Sequence, residues 1–221
     1  MDLCFIIDSS GSIRDNNPSD GSFDNWQLQL DFLAQLVDLF TIASDATRVG
    51  AVVFSEQVNL VFALNTYDDA ASVKAALQAL AYLGQTTNTP EGLKVAREQC
   101  FSAATGDRPS IQNLAIFISD GVPFPENRRD PAIAEAQSLK GVALVMAIGV
   151  TNVIDVDLLR AISSPPQLEN QNYFIAADFT ALGQIRRAVG EGTCEVIEGS
   201  LNDLLQIFIC VWNIIQPGCL K

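Results

Sequence analysis

Two short apolar runs in this sequence each end in an aspartate. The first ends at Asp8, which is followed by hydroxyl groups at alternate positions, Ser10 and Ser12, and the second ends at Asp120. Carboxylate and hydroxyl oxygens are ligands of hard divalent cations such as Mg²⁺, Ca²⁺ and Mn²⁺, in preference to zinc or copper. The residue types therefore predict a cation site, provided that the fold brings the two aspartates together.

The charge of this predicted site has a chemical consequence. A third polar segment, residues 84–89, offers further hydroxyl groups without adding a carboxylate. Two carboxylates offset the double charge of the cation, and if one of them acts through water the cation stays electron-poor. An open coordination position on such a cation suits an aspartate or glutamate side chain from a protein partner.

The apolar pattern predicts the scaffold that positions these groups. Continuous apolar runs indicate strands buried on both faces, and apolar residues at helical spacing indicate amphipathic helices. The strands are expected at 3–7, 48–54, 58–63, 114–119, 142–148 and 173–176. The helices are expected at 26–40, 68–82, 91–101, 131–140, 157–162 and 178–189.

The alternation of these elements predicts the fold class. It is α/β, with a doubly wound, mostly parallel six-stranded sheet, one antiparallel edge strand (58–63) and helices on both faces. The antiparallel strand is expected because only a tight turn separates it from the preceding strand. Asp8 and Asp120 then meet at the carboxyl edge of the sheet, where ligand sites of such folds form.

The polar segments and their order resemble the metal-ion-dependent adhesion site (MIDAS) of von Willebrand factor A domains, which include the integrin I domains. The resemblance extends over residues 2–190, and the sequence is similar to extracellular members such as matrilins, collagen VI and parasite microneme adhesins. The matching sequences are Asp8-x-Ser10-x-Ser12, a threonine in 84–89, Ser119-Asp120-Gly121, and the flanking segments 49–55 and 147–150.

The resemblance implies a ligand set and a function. In that family two serines and one threonine contact the metal, and the aspartates bind it directly or through water. The implied metal ligands are Asp8, Ser10, Ser12, Thr87 and Asp120, with Thr87 preferred to Thr89. The implied function is not enzymatic: the domain binds a protein partner through Mg²⁺, with Ca²⁺ or Mn²⁺ as alternatives, outside the cell or on its surface.

Residues near the site form a candidate ligand rim, consisting of Asp20, Asp24, Arg128 and Arg129. The two aspartates lie in a segment that is longer than usual for the family. A solvated, ligand-specifying loop is favoured there over a second calcium site, because the segment lacks the glutamate that ends an EF-hand loop. The two arginines either contact acidic neighbours of the ligand carboxylate or belong to a solvated charged loop.

Composition excludes several other functions. Thirteen basic residues against twenty-six acidic ones give a net charge of −13, which argues against binding of nucleic acid or anionic lipid. The chain has no histidine, so it has neither a Ser-His-Asp nor a Cys-His catalytic centre. The longest apolar stretch, 204–215, is too short to span a membrane. Because Met1 nearly adjoins the first strand, we expect a domain excised from a larger secreted protein.

The cysteines bear on domain organisation. They stand at positions 4, 100, 194, 210 and 219, with no CxxC pair that would indicate zinc. Cys4 and Cys100 either form a disulfide or are buried free thiols. The other three favour a disulfide-tied tail. We predict a von Willebrand factor A domain at 1–193 and a cysteine-containing extension at 194–221.

Two other functions compete with adhesion. A Mg²⁺-dependent phosphotransferase of the haloacid dehalogenase type would use Asp8, but it needs an aspartate two residues later, where Ser10 stands, and a lysine near the metal. An intracellular A domain of an ATPase complex has the same metal motif. The cysteine-bearing tail favours the extracellular alternative.

Overall fold

A computed structural model of the chain describes residues 1–151 and 154–200. Within these ranges six strands form one sheet in the order β3-β2-β1-β4-β5-β6. The strands are β1 Asp2–Asp8, β2 Arg48–Phe54, β3 Val58–Phe62, β4 Asn113–Ser119, β5 Leu144–Val150 and β6 Tyr173–Ala176. β3 is antiparallel to β2 and every other pair is parallel, which confirms the predicted fold class.

Helices cover both faces of the sheet. They are α1 Gly11–Asp15, α2 Asn25–Val37, α3 Ala70–Gln78, α4 Thr89–Val95, α5 Arg129–Lys140, α6 Val156–Ile162 and α7 Leu182–Ser200. The π-helical turn Ala96–Cys100 follows α4 directly. One buried apolar cluster packs α2, α3 and α7 on the sheet, and a second packs α4, α5 and α6 on its other face.

β1 shows why continuous apolar runs predict central strands. Phe5 and Ile7 point into the first cluster, whereas Cys4 and Ile6 point into the second. All four side chains are fully buried. Since successive side chains of a strand alternate between faces, a strand covered on both sides needs apolar residues at every position.

Some helix boundaries differ from the predicted ones. α2 ends at Val37 and not at residue 40. α3 begins at Ala70 because Asp69 caps its first turn by accepting from the backbone N–H of Ser72, and it ends at Gln78, four residues before the predicted end. α7 continues past residue 189, through Ser200. A methyl group on Gly190 would lie 2.8 Å from Leu39 Cδ1, so this glycine lets α7 pack closely there.

The extension predicted at 194–221 is only partly described. α7 runs through the proposed boundary at residue 193, and the apolar stretch 204–215 lies outside the described residues, as do Cys210 and Cys219. The domain boundary and the disulfide-tied tail therefore stay predictions. Within the described ranges, no helix has both the length and the apolar character required to cross a membrane.

Cys4 and Cys100 form a disulfide between β1 and the π-helical turn after α4, with Cα atoms 6.5 Å apart. This resolves the alternative between a bond and two free thiols. Gly50 in β2 makes room for it, because a Cβ at that position would lie 2.7 Å from Cys100 Sγ. The bond spans 96 residues of sequence. A loop of that length restricts the unfolded chain enough to stabilise the fold by about 4–5 kcal/mol in the chain-entropy model.

Candidate metal centre

Asp8 and Asp120 meet at the carboxyl edge of the sheet. Asp8 is the last residue of β1, and Asp120 directly follows Ser119, the last residue of the neighbouring parallel strand β4. Both aspartates are almost completely buried. The expectation that the fold places these two carboxylates together is therefore met.

A chain of hydrogen bonds connects four of the predicted metal ligands. The backbone N–H of Ser10 donates to Asp8 Oδ1 at 2.8 Å, and the hydroxyl oxygens of Ser10 and Ser12 lie 3.1 Å apart. Ser12 Oγ in turn donates to Asp120 Oδ1 at 2.8 Å. The oxygen atoms of two separate loops thus form one continuous cluster.

The third loop is fastened to the first by hydrogen bonds, most of them between backbone groups. Ser9 accepts from Leu83 N–H through its hydroxyl, at 2.8 Å, and from Gly84 N–H through its carbonyl, at 2.9 Å. Gly11 N–H donates to the carbonyl of Gln85 at 2.8 Å. Segment 84–89 therefore lies against the loop that carries Ser10 and Ser12.

Thr87 lies between this anchored stretch and the segment after Asp120. The backbone N–H of Phe124 donates to the carbonyl of Thr87 at 3.1 Å, and Thr87 is buried. Ser55 fixes the residues on either side of Thr87, since it donates to the carbonyl of Thr86 and accepts from Asn88 N–H. Thr87 thus stands where the loops converge, and its role as a metal ligand stays a prediction.

Two further side chains hold the Asp8 carboxylate and backbone. Ser119 Oγ donates to Asp8 Oδ2 at 2.6 Å, and Gln29 Nε2 donates to the Asp8 carbonyl at 2.8 Å. Ser119 was visible in the sequence only as part of the resemblance. Gln29 carried no sequence signal, because a polar residue inside an apolar helix pattern gives no indication of its partner.

Tyr82 is a positioning residue that the sequence did not reveal. Its hydroxyl lies 3.0 Å from the carbonyls of Ser10 and Gly11, so it donates to the backbone of the metal loop. The guanidinium of Arg14 lies 4.3 Å from the centroid of the Tyr82 ring. The helix predicted at 68–82 ends at Tyr82, whereas α3 ends at Gln78 and Tyr82 lies between α3 and the third loop.

The two aspartates of the candidate ligand rim occupy different positions. Asp24 caps α2 by accepting from Trp26 N–H at 3.1 Å, and it pairs with Arg14 at 2.6 Å. The Asp20 carboxylate is exposed and accepts from the backbone N–H of Ser22 at 3.0 Å. Asp24 therefore stabilises the local fold, and a role of either residue in contacting a ligand stays a prediction.

Both arginines of the rim already have acidic partners. Arg128 forms a bidentate ion pair with both carboxylate oxygens of Glu56, at 3.0 Å, and Arg129 pairs with Asp155 at 2.7 Å. Any ligand carboxylate that these arginines contact has to compete with those partners. Their contact with a ligand likewise stays a prediction.

Burial makes the two carboxylates costly without a cation. Desolvation by burial raises the pKa of Asp120 to about 7, helped by the neighbouring charge of Asp8 and opposed by the Ser12 hydrogen bond. Burial also raises the pKa of Asp8. Asp120 Oδ2 is buried and has no hydrogen-bond partner. An unpaired buried carboxylate oxygen beside a second carboxylate fits a divalent cation.

The number of charged groups also fits a cation that keeps an affinity for anions. Among the described residues, no three Asp, Glu, His or Cys side chains converge in a way that could hold a metal ion. The site therefore contributes two carboxylates, and its remaining oxygens are neutral hydroxyls. Asp8, Ser10, Ser12 and Asp120, together with Thr87, would hold the cation.

The raised pKa values predict how stability depends on pH. The pKa of Asp120 is about 7 in the folded chain against 3.8 ordinarily, so between these values the metal-free folded chain binds more protons than the unfolded chain. Its free energy of unfolding should fall by about 1–3 kcal/mol as the pH rises from about 5 to 7.5. Urea unfolding in chelator measures this difference.

The control for this pH dependence is Asp120→Asn, which should remove most of it. Saturating Mg²⁺ should also remove it in the native chain, because the cation competes with the proton. Equal stability of metal-free protein at the two pH values would contradict the assignment of two buried, mutually repelling carboxylates.

The sequence matches a known family. The family model of the von Willebrand factor type A domain matches residues 2–188. Matrilin-1 from Gallus gallus is 31% identical over 202 residues, which cover 88% of this chain and 38% of that protein. The chain thus spans well under half the length of this curated relative.

Solved structures agree with this match. Proximal thread matrix protein 1 from the mussel byssus superposes with a TM-score of 0.77 at 28% identity, covering 87% of this chain and 48% of that one. A second structure of the same protein, with a TM-score of 0.71, holds zinc in its MIDAS motif. Manganese-loaded TRAP protein from Plasmodium vivax shares the fold, with a TM-score of 0.65 at 20% identity, covering 84% of this chain and 71% of that one.

Proposed function

This chain belongs to the von Willebrand factor type A domain family, and on that premise we propose that it is a cation-dependent adhesion module. It binds an aspartate or glutamate of a protein partner through a cation held by Asp8, Ser10, Ser12, Thr87 and Asp120. The observation that carries the proposal is the buried, unpartnered Oδ2 of Asp120 beside the second buried carboxylate.

The charge of the site determines what it binds. When bound, the cation supplies a positive charge and an open position for an external carboxylate. The protein contributes a rigid set of oxygens: Ser119 fixes Asp8, and Ser12 fixes Asp120. In a chain of net charge −13, an acidic partner is attracted at this point only if a cation is present.

Mg²⁺ is the proposed cation, with Ca²⁺ or Mn²⁺ as alternatives. Hydroxyl and carboxylate ligands suit all three, and a site with few carboxylates suits Mg²⁺, which retains water ligands. Because the MIDAS of the mussel protein holds zinc, zinc should be compared with Mg²⁺, Ca²⁺ and Mn²⁺ when cation binding is titrated.

The partner is proposed to be a protein outside the cell. Relatives in this family include a matrilin and a thread matrix protein, and neither nucleic acid nor anionic lipid suits the net charge. The Cys4–Cys100 disulfide supports an oxidising compartment. The same bond argues against the intracellular A domain of an ATPase complex.

Catalysis is not part of the proposed function. A haloacid dehalogenase mechanism needs a general acid two residues after Asp8, where the Ser10 hydroxyl instead lies against Ser12. It also needs a lysine at the metal. Among the described residues, the lysines lie outside the three metal loops, at positions 74, 94 and 140.

The proposed function is tested by displaying a peptide library with one fixed glutamate on phage and selecting it on the immobilised chain. A matched library carries glutamine at the fixed position, and both libraries exclude aspartate and glutamate from their other positions. We expect enrichment only with glutamate and only in Mg²⁺, and elution by chelator. Equal enrichment with glutamine, or in chelator, would show that binding uses another surface.

A further inference from the structure

Two exposed apolar side chains belong to the segment that directly follows Asp120 of the candidate metal centre. Val122 is 44% exposed and Phe124 is 58% exposed, and both follow Asp120 closely in the chain. We call this pair the apolar rim. Single exposed apolar residues are common on protein surfaces, but an apolar pair next to a polar ligand site often contributes to recognition.

The backbone of the apolar rim is held in place on both sides. Phe124 N–H donates to the carbonyl of Thr87 at 3.1 Å, and Arg128 Nη1 donates to the carbonyl of Phe124 at 2.8 Å. A Cβ on Gly121 would lie 3.8 Å from Ser12 Oγ, so this segment passes close to the metal loop. The backbone of Phe124 is therefore held at the loop that carries Thr87, and its side chain is more than half exposed to solvent.

The charged groups of the same segment do not favour acidic neighbours of the ligand residue. Arg128 already forms an ion pair with Glu56, and it also donates to the Thr86 hydroxyl. Arg129 is occupied by Asp155. Glu126 is exposed and lies between the rim and these arginines in sequence. A second acidic residue of a ligand that approached Glu126 would be repelled by it, and neither Arg128 nor Arg129 is free to offset that repulsion.

We propose that the apolar rim is a specificity subsite that receives a large apolar side chain adjacent to the metal-binding acid of the partner. This inference rests on the proposed function and narrows it to a class of ligand. The preferred sequence pairs one aspartate or glutamate with a bulky apolar residue one or two positions away. Burial of that residue against Val122 and Phe124 supplies affinity that the carboxylate alone does not.

The test repeats the selection with the positions that flank the fixed glutamate randomised, in Mg²⁺. It compares the native chain with the double variant Val122→Ser/Phe124→Ser. The matched control is Val142→Ser/Leu168→Ser, which removes two equally exposed apolar side chains at the opposite edge of the sheet. Mg²⁺ affinity of each variant is measured by calorimetry, so that loss of the metal centre is recognised separately.

We expect the native chain and the control to enrich Leu, Ile, Phe, Met or Trp beside the glutamate. The rim variant should lose that preference, bind the selected peptides about five- to tenfold more weakly and keep its Mg²⁺ affinity. Unbiased flanking positions, or an unchanged preference in the rim variant, would overturn the inference while leaving cation-dependent binding intact.

Two other outcomes also overturn it. If enrichment does not depend on glutamate or on Mg²⁺, the proposed function fails, and the subsite fails with it. If sedimentation shows that the native chain self-associates and that only the rim variant is monomeric, the apolar rim is an interface between two copies of the chain.

Discussion

Asp120→Asn is expected to abolish cation binding while leaving the fold intact. Asparagine keeps the shape of the side chain and can still accept the Ser12 hydrogen bond, which measures 2.8 Å in the native chain. It removes one of the two charges that hold the cation, so Mg²⁺ affinity should fall by at least about a hundredfold, since even outer-sphere changes cost 10–100-fold. Calorimetric titration with Mg²⁺ measures the loss.

The same substitution should make the metal-free protein more stable. Burial that raises the pKa of Asp120 to about 7 means that the ionised carboxylate destabilises the folded chain at neutral pH. Its removal should raise the free energy of unfolding at pH 7.5 by about 1–3 kcal/mol in chelator. A loss of function accompanied by a gain of stability distinguishes a metal ligand from a structural residue.

The matched control is Asp45→Asn, which removes an equal charge from an exposed side chain before β2, at the other end of the sheet. Its Mg²⁺ affinity should stay within about twofold of the native value, because a distant exposed charge is screened by salt. If Asp120→Asn binds Mg²⁺ as tightly as this control does, Asp120 is not a ligand.

Arg108→Ala is expected to cause the largest loss of stability. Arg108 donates from two guanidinium nitrogens to the fully buried carboxylate of Asp2, at 2.6 and 2.9 Å, and from its backbone N–H at 2.9 Å. It also donates to the carbonyls of Met1 and Ala46. Breaking a buried pair leaves an uncompensated charge, which costs about 3–5 kcal/mol. Urea unfolding of the variant and the native chain at neutral pH measures this loss of stability.

Asp2→Asn distinguishes the cost of leaving a buried charge unpaired from the cost of losing the hydrogen bonds of Arg108. Added to Arg108→Ala, it should recover part of the loss, because the buried group is then neutral. Arg187→Ala is the surface control: its pair with Glu191 is solvent-exposed, so its removal should cost no more than about 0.5 kcal/mol. A cost for Arg108→Ala as small as that of this control would show that the pair does not stabilise the fold.

The sheet could be predicted because its constraints are local. β1 needs apolar residues such as Phe5 and Ile6 on both faces, and the short turn before β3 limits that strand to an antiparallel neighbour. The aspartates could be placed at one edge for a similar reason, since Asp8 and Asp120 end or directly follow parallel strands.

Other features of the fold and the site could not be predicted, because they depend on contacts between segments that are distant in sequence. The Arg128–Glu56 pair joins residues 72 positions apart, and the Tyr82 hydroxyl reaches a backbone carbonyl 72 positions away. No pattern around Tyr82 indicates such a partner. The continuation of α7 was missed because Gly190 weakens a helix pattern locally, whereas its packing against Leu39 depends on tertiary structure.

We propose that the converging loops hold a cation with room for an external carboxylate. Anomalous diffraction from crystals of the chain grown with Mn²⁺ and a selected peptide that carries one glutamate tests this claim. We expect one manganese peak within the cluster of Asp8, Ser10, Ser12, Thr87 and Asp120, with each of these residues contacting the ion directly or through a water and with the peptide carboxylate completing the coordination. A peak elsewhere, or a manganese ion surrounded by protein oxygens with no place for the glutamate, would contradict the claim.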